Sequence, residues 1–115
     1  MAAEAAVDQL GSWDAILAWY QRYRQCDDGG IAEGVSDAIE KLLARSWDTV
    51  PQLVRLGKRN RHFPEFVANH IGEITGLDNA ILISKAARNA CPKGAADFCS
   101  LLVKNIGDVA QVERQ

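Results

Sequence analysis

The residues able to do chemistry fall into four groups: the stretch CDDGGIAEG (Cys26 to Gly34), the histidines His62 and His70, the cysteines Cys26, Cys91 and Cys99, and the cationic run Arg55, Lys58, Arg59 and Arg61. In the first, Asp27 and Asp28 sit beside glycines, which raises three possibilities. A phosphate cradle presents backbone N–H groups with a nearby lysine, but two carboxylates repel phosphate and no GK[ST] follows. A calcium loop spaces its acids at alternate positions and closes with a bidentate glutamate at the twelfth; here the acids are adjacent and the next, Glu33, comes too early. What remains is a helix start, in which Asp28 or a neighbour accepts from free N–H groups and complements the positive helix end. Capping does not require both acids and two glycines, so Asp27, Asp28 and Glu33 also stand as an acidic knuckle for a protein partner.

His62 and His70 each precede a glutamate by three residues. Carboxylate-bridged metal sites in bundles use the opposite order, Glu-x-x-His, drawn from separate helices. His70 falls on an apolar stripe and reads as a hydrogen-bonded core histidine, so neither a metal nor a cofactor is expected. A nucleophile needs a base that is itself oriented by a third group, and no nucleophile elbow or cysteine-protease signature is present. The expectation is a protein without enzymatic activity; a hydrolase would need a cleft holding a histidine or cysteine beside an acid.

Cys91 and Cys99 enclose PKGAADF. On one continuous helix they would lie about 12 Å apart, whereas a turn at Pro92 to Gly94 brings them within the ~6.8 Å Cα separation that a disulfide tolerates. A Cys91–Cys99 bridge is therefore expected, in an oxidising compartment such as a bacterial periplasm. The alternative is three reduced, buried cysteines in cytosol. Cys26 is left over, either buried beneath the acidic loop or paired between chains. The run Arg55, Lys58, Arg59 and Arg61 reads as a solvated turn, with an acidic protein as its next reading and nucleic acid after that.

These groups must be held by something, and composition says what kind of body it is. The chain has 115 residues, 48% of them hydrophobic and 24% charged, with a net charge of −2. That suits one globular domain, 1–115, with 1–11 and 108–115 loosely ordered. No apolar run approaches a membrane span, so no membrane partner is expected. Residues 1–12 lack signal-peptide character, yet MAAEAAVDQ also reads as a mature start behind a removed signal, with Met1 added. The expected location is the periplasm rather than the cytoplasm.

Apolar residues recur at helical spacing almost throughout, which predicts an all-α fold: a compact bundle or helical-hairpin stack of about six short helices. The first runs from Ser12, its cap, to about Arg24, with Trp13, Ile16, Leu17, Tyr20 and Tyr23 inward. Trp19 lies off that stripe; with the glycine-rich entry to the second helix it leaves room for a homodimer surface, the alternative being that the bundle absorbs it in its core. In the second, Ile31, Val35, Ile39, Leu42 and Leu43 form one buried face, with Glu33, Asp37, Glu40 and Lys41 on the wet side. Asp48 or Thr49 caps a short third helix with Pro51 in its first turn and Gly57 at its end. The fourth spans about Pro64 to Ile74, carrying Phe63, Phe66, Val67, His70, Ile71 and Ile74. Asp78 caps the fifth, which runs to about Asn89, with Leu77 stapled to Leu82. The sixth follows Pro92 and Gly94 with Ala95, Phe98, Leu102, Val103, Ile106 and Val109, before a frayed tail.

With CDDGGIAEG before a helix, then RHFPEFVANHI, then NACPKGAADFC, the chain resembles the small, often exported, all-helical bacterial proteins, some of which are immunity partners of antibacterial toxins. That resemblance implies binding without chemistry, in which a rigid helical body offers a loop or charged face to a cognate toxin. It transfers no individual residues. The expected function is thus a protein-binding module of the inhibitor type, with Asp27, Asp28, Glu33, Arg55, Lys58, Arg59 and Arg61 as contacts. The alternative is a cytosolic nucleic-acid-binding or regulatory domain using the basic 55–61 connector.

Overall fold

In the computed structural model the described residues are 10–23, 29–72 and 75–107, those of 29–33 by backbone only. Among them are six α-helices and no strand: α1 (Trp13–Tyr23), α2 (Gly29–Arg45), α3 (Val50–Arg59), α4 (Phe63–Asn69), α5 (Leu77–Asn89) and α6 (Ala96–Ile106), with a 3-10 turn (Trp47–Thr49) leading into α3. The all-α bundle expected from periodicity is the fold. Cys26, Asp27 and Asp28, the side chain of Glu33, Ile74, Val109 and the tail lie outside the described residues.

The helices pack because each presents one apolar stripe. α5 lies against α6, α4 against α6, α2 against α5, and α3 against both α4 and α1. Trp13, Ile39, Leu43, Leu53, Phe63 and Ile83 are fully enclosed in the shared core. Leu10 is buried with them. Ser12 caps α1 as expected, its Oγ accepting the Ala15 N–H at 3.1 Å.

Of the two places open to Trp19 the structure shows the core: it is only 2% exposed and offers no free side chain for self-association. It stacks on Phe66 at 6.5 Å between centroids, while Tyr20 meets Phe66 at 4.5 Å and Phe63 at 5.7 Å. This aromatic layer joins α1 to α4. Tilted and offset rings are the favoured geometry, and each pair adds about 0.5–1.5 kcal/mol beyond area burial.

Several helix ends differ from their local signals, and at α5 a distant group supplies the cap. Thr49 does not cap α3 with its side chain. Its hydroxyl donates to the Ser46 carbonyl at 2.6 Å and accepts the buried Trp13 indole N–H at 2.8 Å. α3 continues beyond Gly57, because the backbone and side-chain amides of Asn60 reach the Leu56 carbonyl at 3.2 and 3.0 Å and close the helix there. Gly57 has another reason to be glycine: a Cβ there would stand 2.6 Å from Pro64 Cγ.

α4 stops at Asn69 instead of running to Ile74. The His70 and Ile71 amides bond back three residues, to Val67 and Ala68 at 3.1 and 3.0 Å, a tightening typical of helix ends. Gly72 N–H then goes to the Thr75 hydroxyl at 2.9 Å. At α5 the cap residue is Gly76, not Asp78. Glu40 accepts from the Gly76 N–H at 3.0 Å and the Asn79 side-chain amide at 2.8 Å, so this acid is tied to α5 rather than solvated. Leu77 and Leu82, expected to staple, are instead 52% and 51% exposed.

Candidate functional site

Between α3 and α6, closed at one end by the α3–α4 turn and walled by the α5–α6 loop, runs an open groove of about 530 Å3. Its floor is apolar: Leu53 and Val54 from α3, Pro64 from the turn side, Phe98 and Leu101 from α6. Lys58, Arg61 and Lys93 stand at its rim with Glu65 and Asp97. All five are exposed, and among the described residues none of the three cations is in an ion pair.

Local sequence explains how each wall is placed. α3 has apolar residues at Val50, Leu53 and Val54, which leaves Lys58 one turn further on at the solvent edge. Gly57 lets Pro64 close on α3, and that contact sets the floor's end. The far wall is the loop after Cys91. Pro92 accepts the Ala95 N–H at 3.1 Å, Gly94 takes a left-handed φ of 87° that disfavours side chains, and Cys91 is bridged to Cys99 with Cα atoms 6.2 Å apart. The expected disulfide is therefore present, and it anchors one side of the groove.

The structure divides the expected basic connector. Most of it lies within α3, with Lys58 and Arg59 in its last turn, and is not a loop. Lys58 and Arg61 line the groove, whereas Arg55 and Arg59, also exposed, are not among its lining residues. Lys93, 32 positions beyond Arg61, was missed by sequence reasoning. The signal that could have found it is its position inside the loop closed by two cysteines. Residues 49–64 contain four cations and no acid, so this span carries +4 against −6 over the remainder of the chain, for the net −2. The asymmetry gives the molecule a local positive face that its net charge conceals.

Other chemistry-bearing groups are placed differently. Ser36 Oγ lies 2.7 Å from His70 Nδ1, and Phe66 packs edge-on against the imidazole at 4.8 Å. With Ser36 nearly closed to solvent, this contact joins α2 to the end of α4. His62 is exposed at the N-cap of α4. Among the described residues, no group of three or more His, Cys, Asp or Glu side chains is placed to hold a metal, and no helix is long and apolar enough to cross a membrane.

Comparison of the chain with protein-family models, with curated proteins and with solved structures finds no match. Functional inference rests on the groove and on the body that holds it.

Proposed function

We propose that this chain is a non-enzymatic protein-binding module of the immunity or inhibitor type, which captures a cognate bacterial toxin or other protein by an acidic surface bearing an apolar side chain. The observation that carries the reading is the groove: Lys58, Arg61 and Lys93, in no ion pair among the described residues, stand around an apolar floor. Apolar anchors seated in pockets supply most interface energy, while surrounding charges steer encounter and fix register. The rigid, disulfide-tied body supports the same reading, since a preorganised surface loses little entropy on binding. A periplasmic location accords with the bridge.

Nucleic acid is the competing partner for a basic surface. The floor works against it: its one aromatic ring, Phe98, is buried, where bases would need exposed aromatic platforms.

The test is capture by the tagged, oxidised chain, identification of the retained protein, and reconstitution with the purified partner. The expected result is a stoichiometric complex that survives nuclease treatment, together with relief of growth inhibition when chain and partner are co-expressed. A complex abolished by nuclease, or no stoichiometric partner, would overturn the proposal.

A further inference from the structure

The disulfide stands between two concavities. On one side, Lys93, Gly94, Ala95, Asp97 and Phe98 all line the groove, and all five lie within the loop that Cys91 and Cys99 close. On the other, a separate hollow of about 490 Å3 is lined by both cysteines together with Arg88 and Lys104. Cys91 is half-buried and Cys99 is 4% exposed. Apart from the bridge, the segment is held by the Pro92–Ala95 turn bond and by the Trp47 indole N–H, which donates to the Ala90 carbonyl at 2.9 Å. The turn bond spans Lys93 and Gly94, and the Cys99 N–H donates to the Ala95 carbonyl at 2.8 Å, so with the bridge open these local backbone bonds are what remains to order that wall.

We propose that the Cys91–Cys99 bridge is a redox gate for the groove, addressed by a dithiol reductant through the neighbouring hollow. The proposal rests on the groove's being the partner site. The reductant's thiolate forms a bond to the more accessible Cys91 Sγ. The Cys91–Cys99 bond breaks, its electron pair passing to Cys99 Sγ, which takes a proton from water. The second thiol of the reductant, as thiolate, then attacks its own sulfur in the mixed disulfide and expels Cys91, which is protonated in turn. Two cysteine thiols and an oxidised dithiol result, a transfer of two electrons and two protons. Arg88 and Lys104 favour the incoming and departing thiolates, as cations near a cysteine do. Once the bridge is open, the loop must be ordered anew each time a partner is captured, and the groove loses affinity.

The experiment uses the full chain in three forms: oxidised, reduced with dithiothreitol, and Cys91→Ser with Cys99→Ser. Hydrogen exchange at the amides of residues 93–95 should accelerate in the last two, with the α3 amides unchanged as evidence of retained fold. A fluorescein-labelled, glutamate-rich synthetic peptide with a central leucine should bind the oxidised form and bind the other two about tenfold more weakly, the cost of ordering roughly one residue's backbone. Arg88→Gln with Lys104→Gln should slow reduction about threefold, since two partly screened charges are removed. Unchanged exchange at 93–95, or equal peptide affinity in all three forms, overturns the gate alone. Failure of the oxidised form to bind the peptide removes the groove reading, and the gate with it.

Discussion

Gly57→Ala sets two effects of opposite sign against each other. Within a helix, alanine is favoured over glycine by about 1 kcal/mol, and α3 is regular through Gly57. The added Cβ, however, would stand 2.6 Å from Pro64 Cγ and 3.1 Å from Pro64 Cδ, well inside the ~3.5–4.0 Å of a comfortable carbon contact. Those atoms belong to a ring that cannot swing aside as a flexible side chain would, so either α3 or the start of α4 must move. Overpacking of this kind costs about 1–3 kcal/mol, and two close ring contacts place this case toward the upper end. The expected net effect is destabilisation by about 1–2 kcal/mol, a fall in Tm of about 4–8 °C for a chain of this size. Urea and thermal unfolding of Gly57→Ala, Pro64→Ala and the double variant form a cycle in which removal of the ring should restore the benefit of alanine, with a coupling of about 2–3 kcal/mol. If Gly57→Ala stabilises the protein equally with and without Pro64, the close approach does not govern this corner.

Other perturbations probe separate parts of the fold. Trp19→Ala should cost about 3–5 kcal/mol, as for a large aromatic removed from a core, measured by chemical denaturation; a loss below about 1 kcal/mol would mean that the α1–α4 aromatic layer is not packed as described. Glu40→Ala should cost about 0.5–1.5 kcal/mol, by removing the acceptor that caps α5 at the exposed Gly76 N–H and holds the part-buried Asn79 amide, and hydrogen exchange should rise first at the start of α5; protection unaltered there would remove the cap. Reduction of the bridge, which spans a sequence separation of 8, should lower stability by about 2.5 kcal/mol from chain entropy, and a reduced protein as stable as the oxidised one would contradict that.

How much of this was legible beforehand follows from where each determinant lies. The buried faces of α2 and α6 were readable because Val35, Ile39 and Leu43, and likewise Phe98 and Leu102, recur at helical spacing, and spacing is local information. The disulfide was readable because a proline and a glycine between two cysteines force a turn. Trp19 was less so: it stands three residues after Ile16 and four before Tyr23, but its burial is completed only when Phe66 arrives from α4 to cover it. Nor was the start of α5: Asp78 has the right chemistry at nearly the right place, but Glu40, 36 residues earlier than Gly76, reaches the free N–H instead. Gly57 looked like a helix end because glycine so often is one; here its missing side chain admits Pro64, and Asn60 does the terminating. At the site, two of the rim's three cations were visible in a basic run, and the third was hidden because Lys93 joins Lys58 and Arg61 only through tertiary packing.

The most direct test of the groove as the binding surface is the affinity of the purified partner for the oxidised chain carrying Lys58→Glu, Arg61→Glu and Lys93→Glu together, measured by calorimetry beside a control carrying Arg55→Glu and Arg59→Glu. Three reversals at about 1 kcal/mol each should weaken binding about 100-fold, while the control, whose cations lie outside the groove, should stay within about threefold of the unaltered chain. Equal affinity for the triple variant and the unaltered chain, or an equal loss in the control, would contradict the account.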